Sequence, residues 1–320
     1  YADKAATTYM SETAMNEMID CLKNYNGNPN SLHTDGQVTQ EKLDQARAKV
    51  AKAINAARDN EIYFTSGGSE ADNQALISAA RGLREKGKKH LITLNIEHHA
   101  ILHTMRKLEK EGFEVTYLAP EANGIVDVEK AKAAMRDDTA LVSIMFANNE
   151  MGAVQPIAEI GAACKERKIL FHTDAVQAAA HLPIDVQAMN IDMLSMSGHK
   201  FHGPKGVGAL YARNGIRLLN VIEGGAQERG KRAGTVNVPA IASMAAALEE
   251  GVANMEENNK KVIALRDRLI EGLSDIPHSK LNGDPEKRLP GNINYSFEGV
   301  EGESLLLALD NYGICCSSGS

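Results

Sequence analysis

From residue 61 to 212 the chain alternates between two hydrophobic rhythms, and this limits the fold more than any other feature. The runs "EIYFT" (61–65), "HLITL" (90–94), "EVTYL" (114–118), "ALVSIMF" (140–146), "ILFHT" (169–173), "DMLSM" (192–196) and "GALYA" (208–212) read as strands. Most are separated by stretches with helical periodicity. In the one over 70–86, Ala71, Ala75, Leu76, Ala79, Ala80 and Leu83 fall on a single apolar face. Helices are also expected in "HHAILHTMRKLEKEG" (98–112), "DVEKAKAAMRD" (127–137) and "PIAEIGAACKERK" (156–168), the last opened by Pro156. Strands alternating with helices predict an α/β fold with a mostly parallel sheet covered on both faces.

Ligands of such sheets bind beyond the carboxyl ends of the strands. The residues following the strands are polar and chemically specific: Ser66-Gly67-Gly68-Ser69, Glu97-His98-His99, Asn148-Asn149-Glu150, Asp174-Ala175-Val176-Gln177 and Ser197-Gly198-His199-Lys200. Their convergence on one edge carries more weight than any single motif. After residue 237 the pattern changes to one long or two linked helices, then a strand in "GNINYSF" (291–297) and a helix in "EGESLLLALDNYG" (301–313). At 320 residues the chain has room for about two domains. The net charge of −7 argues against a general nucleic-acid or anionic-membrane surface. The opening "YADKAATTYM" has neither a basic nor an apolar leader segment, so a cytoplasmic protein is expected. The four cysteines form no C-x-x-C pair. Cys21 and Cys164 are expected as packing residues on helices, and Cys315 and Cys316 as packing residues on a strand, facing opposite sides.

"TSGGSEADN" places a glycine turn between a strand and a helix, which exposes backbone N–H groups suited to phosphate. The same residues also suit a plain capped turn, with Ser69 as cap and Asp72 as its capping-box partner. It is neither a Walker A loop nor a G-x-G-x-x-G fingerprint. His98, His99 and His103 offer a metal alternative, but no carboxylate follows at the zinc-protease spacing, and no metal site is expected. A phosphate turn, an aspartate ending a buried strand (Asp174) and a lysine nearby (Lys200) together form the equipment of pyridoxal phosphate. The lysine makes the Schiff base, and the aspartate keeps the ring nitrogen protonated.

Ordered segments along nearly the whole chain then resemble the cysteine desulfurases, class V pyridoxal-phosphate enzymes of the NifS/IscS type. They are "DKAATT" (3–8), "GNPNSLHTDG" (27–36), "FTSGGSEADN" (64–73), "IEHHAILHT" (96–104), "VSIMFANNEMGAVQPI" (142–157), "HTDAVQ" (172–177), "SMSGHKFHGPKGVGALY" (195–211), "GGAQERGKRAGT" (224–235), "LNGD" (281–284), "VEGESLLLALD" (300–310) and "SSGS" (317–320). The resemblance implies fold type I (aspartate aminotransferase-like). It implies an N-terminal segment of the small domain (1–15), a large cofactor-binding domain (16–237), and a connecting helix with an incomplete small C-terminal domain (238–320). It implies Lys200 as the Schiff-base lysine, Asp174 as partner of the pyridine nitrogen, and Gln177 as partner of the ring hydroxyl. His98 matches the imidazole that stacks on the ring and shuttles protons, and Asn149 the asparagine beside the ring hydroxyl and substrate carboxylate. Gly68, Ser69, Ser197 and His199 match the phosphate cradle. Thr235 matches a threonine that reaches the cofactor phosphate of a second subunit, implying a homodimer with shared active sites. Lys205 matches a family lysine with no assigned chemistry, and His99 and His103 are expected on a helix surface.

The activity implied is conversion of L-cysteine to L-alanine, with sulfur passed to an enzyme cysteine as a persulfide for iron–sulfur clusters or other thio-cofactors through an acceptor protein. That cysteine is expected two positions beyond Ser320, so the sequence as given is expected to bind cofactor but to lack the sulfur acceptor. The alternatives are a selenocysteine lyase or other class V enzyme, and a catalytically silent binding module. The family's usual Gly-Ala-Thr-Glu is replaced by Gly67-Gly68-Ser69-Glu70, which keeps a hydroxyl. Nothing in the sequence explains Lys4.

Overall fold

A computed structural model describes residues 1–318; Gly319 and Ser320, the end of the "SSGS" match, lie outside the described residues. Two helices precede the alternating region, α1 (Glu12–Asn24) and α2 (Thr34–Ala53). The Ser11 side chain caps α1 by accepting the Ala14 N–H at 3.1 Å. There follow β1 (Ile62–Thr65), α3 (Gly68–Arg84), β2 (His90–Leu94), α4 (His99–Lys110), β3 (Glu114–Leu118), α5 (Val128–Ala134), β4 (Thr139–Ser143), α6 (Ile157–Glu166), β5 (Leu170–Asp174), β6 (Met193–Ser197) and β7 (Gly208–Ala212). A short turn of helix, α7 (Gln227–Gly230), leads to α8 (Val238–Ala253) and α9 (Met255–Ser274), so the long helical stretch is two helices. A two-stranded antiparallel sheet, β8 (Ser279–Leu281) with β9 (Tyr295–Phe297), and α10 (Gly302–Asn311) complete the described chain.

The seven strands β1 to β7 form one sheet in the order β1-β7-β6-β5-β4-β2-β3. β2 to β6 run parallel, while β7 is antiparallel to both β1 and β6. The sheet is therefore mostly parallel, as the alternation predicts. β2, β4, β6 and β7 are buried along their whole length, as expected for strands covered on both faces. Ile92, Leu94, Val142, Ile144, Phe171, Leu194 and Met196 share a core with α1, α2, α6 and α8. Leu91, Leu141, Met193 and Leu210 share the opposite core with α3 and α4. Alternation along each strand sends successive residues to opposite cores. Each fully buried Leu or Ile contributes about 1.5–3 kcal/mol relative to exposure.

One expectation is corrected. Cys315 and Cys316 lie in irregular chain after α10 and not on a strand; Cys316 is exposed, and the Ala2 N–H donates to the Cys315 carbonyl at 2.9 Å. Gly313, at φ 76°, ends the helix, and the sequence between it and the end of the described chain finds no strand to pair with. Cys21 and Cys164 are buried on helices, and burial pushes their thiols up to about 11 and about 12.

A buried ion pair ties α7 to the sheet. The Arg47 guanidinium donates to both Glu228 oxygens at 2.7 and 2.8 Å, and to the Ile62 carbonyl at 2.7 Å. The Phe64 N–H donates to Glu228 at 2.9 Å. Removing one partner leaves the other charge buried without compensation. Arg47→Met is therefore expected to lower unfolding free energy by about 3–5 kcal/mol, with Arg47→Met/Glu228→Leu recovering part of it, read from urea denaturation. Equal stability of parent and single variant would contradict the assignment.

Candidate active site

The site gathers at the carboxyl ends of β1, β2, β4, β5 and β6. At β1 the chain turns through Gly67, whose φ of 155° and ψ of −177° suit only glycine, and enters α3 at Gly68. Here the structure corrects the capping expectation. Gly67 occupies the N-cap, Ser69 lies exposed in the first turn, and Asp72 is turned inward and fully buried. Glu70 takes over by accepting the Ser66 N–H at 2.8 Å, itself held by Arg232 at 2.9 Å. A Cβ on Gly68 would stand 2.6 Å from Val176 Cγ2 and 3.5 Å from Ser197 Cβ, so the turn lies directly against the ends of β5 and β6. Gly208 is needed for the same approach: its Cβ would meet the Gly67 backbone at 2.7 Å. The result is a cradle of backbone N–H groups beside the buried Ser197, at the start of a helix of 17 residues. Those are the donors that a phosphate requires.

Asp174 ends β5 almost fully buried, and the Val176 N–H donates to its Oδ1 at 2.9 Å. Burial raises its carboxyl to about 6, against the opposing pull of that N–H and of Lys200. Lys200 lies half-buried on the short turn after β6. Its Nζ donates to the carbonyls of Ala5 at 2.5 Å and Ala6 at 2.9 Å, and Gln177 Nε2 donates to Ala5 at 3.0 Å. Burial lowers the Lys200 amine, while Asp174 and Asp3 oppose the shift. A lysine with only carbonyl acceptors and a depressed pKa is the form needed for nucleophilic and proton-transfer chemistry.

His98 caps α4, its Nδ1 accepting the Ala100 N–H at 3.1 Å. That bond places the proton of the neutral ring on Nε2. Desolvation first, then Lys200, His99 and His103, lower its pKa. His99 and His103 stack on the exposed helix surface with centroids 5.2 Å apart. His199 is half-buried, its Nδ1 3.1 Å from Thr7 Oγ1. Asn149 is half-buried after β4, and its carbonyl accepts from Asn292 at 3.3 Å. Thr235 is exposed beyond α7, and Lys205 is exposed on its turn. Lys200, Asp174, Gln177, His98, Gly68 and Ser197 thus come to one edge, whereas Thr235 faces solvent.

Sequence reasoning missed the N-terminal strap. Thr8 donates to the His199 carbonyl through its backbone at 2.9 Å and its hydroxyl at 2.8 Å, and residues 5–8 form part of the wall around Lys200. It also missed Glu97, buried behind His98, whose Oε1 accepts the Met145 N–H at 2.7 Å. The signal available was a carboxylate three residues beyond a strand buried along its whole length.

The aminotransferase class-V family model matches residues 1–320. The chain belongs to the class-V aminotransferase family, in its NifS/IscS branch. It is similar to cysteine desulfurase IscS of Clostridium botulinum, with 54% identity over all of this chain and 81% of that protein. Among solved structures, a NifS-like protein superposes with a TM-score of 0.95 at 39% identity, covering 98% of this chain and 86% of that one. SspA in complex with cysteine gives 0.85 at 36% identity, over 98% and 86%. The fold is therefore that of the fold type I enzymes, and this member of the branch is pyridoxal-phosphate-dependent. The residues present fit that coenzyme: a glycine cradle that a Cβ would fill, a buried carboxyl able to face a cationic ring nitrogen, and an amine whose pKa burial lowers. No helix among the described residues is long and apolar enough to cross a membrane.

Proposed function

We propose that the chain is a cysteine desulfurase that converts L-cysteine to L-alanine and hands the sulfur to a cysteine thiolate as a persulfide. The observation that carries the reading is the depressed, carbonyl-held amine of Lys200 beside the buried carboxyl of Asp174, next to the glycine cradle. Lys200 would hold the coenzyme covalently through its aldehyde. Asp174 would hold the ring nitrogen, Gln177 the ring hydroxyl, and His98 the ring face. The N–H groups of Gly68 and Ser69, with Ser197 and His199, would hold the phosphate, and Asn149 would border the substrate carboxylate. When bound, the coenzyme supplies an electron sink for the pair released with the substrate's α-proton.

Lys200, once free, would take that α-proton, and burial favours this by shifting the amine's pKa downward. His98, whose Nδ1 accepts the Ala100 N–H and so leaves the proton of a neutral ring on Nε2, would exchange protons with substrate. Thr235, exposed in one copy, suits contact with the coenzyme phosphate of a second copy, which supports a homodimer. An iron–sulfur scaffold or other acceptor would receive the sulfur. In this reading residues 16–237 form the coenzyme-binding domain, 1–15 join the small domain, and 238–320 supply the linking helix and small domain.

The test is borohydride reduction of the coenzyme-loaded protein followed by peptide mapping. The coenzyme label is expected on Lys200 alone. A label on another lysine, or none on folded protein, would overturn the reading.

A further inference from the structure

Beneath Asp174 lies a layer of buried polar side chains that the reaction above does not use. Register places them together. In the parallel pairs, Ser143 on β4 stands beside His172 on β5, and Asp174 on β5 beside Ser195 on β6. His172 and Asp174 are two apart on one strand and so share a face, the one covered by α3. His172 and Ser195 are fully buried, and Ser143 and Asp72 of α3 are about as deep. His172 bonds the Ser143 hydroxyl through Nδ1 at 2.9 Å and the Ser195 hydroxyl through Nε2 at 3.0 Å. Asp72 Oδ1 stands 3.7 Å from His172 Nε2, without a hydrogen-bond partner.

The row Ser143–His172–Ser195–Asp72 can point in only two directions. If Asp72 is ionised, the Ser143 O–H donates to Nδ1, Nε2–H donates to Ser195, and Ser195 donates to the carboxylate. If Asp72 is neutral, it donates to Ser195, Ser195 donates to Nε2, and Nδ1–H donates to Ser143. In either case His172 remains uncharged, since burial pushes its pKa down to about 3. The choice is made by Asp72's surroundings. Burial is the largest influence and disfavours its charge; the titratable groups that face it are Asp174 and Glu97, both carboxyls that disfavour it further, and the uncharged His172, while the Ser195 hydroxyl favours its charge. Glu97 is itself buried, with Oε2 unpartnered. A carboxyl buried as deeply as that of Asp72, with Oδ1 unpartnered and other buried carboxyls facing it, favours its neutral form.

We infer that Asp72 is a positioning residue for Asp174, standing as the neutral acid at the head of the Ser195–His172–Ser143 row so that Asp174 is the carboxyl left to carry charge beneath the coenzyme's ring nitrogen. This rests on the assignment of Asp174 to that nitrogen. The neutral row also fixes Ser195, whose carbonyl accepts the Ala175 N–H at 2.9 Å and so sets the backbone directly after Asp174.

The experiment compares the parent with Asp72→Asn, which mimics a protonated acid, and with Asp72→Leu, which cannot donate. Infrared difference spectra of parent minus Asp72→Asn, with and without coenzyme, are expected to show the carbonyl stretch of a protonated carboxylic acid. In the loaded proteins, the pKa of the coenzyme's visible band is expected to be the same in the parent and Asp72→Asn. Asp72→Leu is expected to retain coenzyme about tenfold less tightly, with asparagine restoring the affinity, since an unmade bond to a buried group costs about 1–3 kcal/mol. The inference is overturned if the infrared difference shows a carboxylate instead. It is also overturned if Asp72→Asn lowers the band's pKa by about one unit or more, as loss of a nearby negative charge would. Should Asp72→Leu not fold, the asparagine comparison decides. Failure of the parent to take up coenzyme would strike the functional reading, and the coenzyme-free infrared difference would still decide the state of Asp72.

Discussion

Replacing Asp174 with alanine is expected to slow exchange of the substrate's α-proton by about 10²–10³-fold, the scale of removing a preorganised charge from a reacting centre. Exchange with L-cysteine in deuterated water, followed by NMR, measures it. The fold should survive the change. The Asp174 carbonyl accepts the Phe146 N–H at 2.8 Å, and the next residue is held by Ser195, so the backbone is fixed without the side chain. What is lost, on the proposed reading, is the counter-charge for the ring nitrogen, and with it the capacity to store electrons. A pH effect follows with a definite sign. A carboxyl raised to about 6 by burial is ionised above that pH and neutral below it. Coenzyme affinity of the parent is therefore expected to fall as pH drops through about 6, and the alanine variant to show a flat profile over that range. Exchange at the parental rate in the variant would remove Asp174 from the mechanism.

Lys200→Ala is expected to be the more severe for the covalent step. It removes the residue proposed both to anchor the coenzyme and to take the proton, and general-base loss alone is worth about 10²–10⁴-fold. Proton exchange should fall by that factor, and borohydride should no longer fix the coenzyme to the protein. Asparagine or arginine at 200 would not repair it, since neither offers a free amine at physiological pH. Lys205→Ala, on the exposed turn five residues on, is the matched control and is expected to behave as the parent. Loss of exchange in the control with retention in Lys200→Ala would reverse the two assignments.

Much of this was legible in the sequence because burial on both sides of a sheet leaves so plain a trace. "HLITL", "EVTYL" and "GALYA" coincide with β2, β3 and β7 residue for residue. Chemistry at the strand ends followed from topology, and the structure places Asp174, Gln177, His98 and Lys200 there. Other features were less accessible because they depend on tertiary choices. Asp72 has the spacing of a capping box, yet the turn at Gly67 shifts the helix start and turns the carboxyl into the interior. His172 precedes Asp174 by two, so its sharing of a face was readable, but its serine partners come from β4 and β6, which only strand order brings alongside. α1 and α2 lie in polar sequence and find their apolar partner in α8, far along the chain. Cys315 and Cys316 look strand-like in isolation, yet no strand among the described residues pairs with them.

The strap formed by residues 5–8 has a consequence for biogenesis. The amine at 200 is gripped by carbonyls 194 and 195 positions away along the chain, so the pocket closes only when two segments far apart in sequence have met. Contacts of such long sequence separation are entropically expensive and form late. A ribosome-bound fragment lacking the turn after β6 can build helices and several strands, yet it has no place to capture the vitamin. Loading with coenzyme thus requires both segments to be in place, and by mass action it holds that arrangement together.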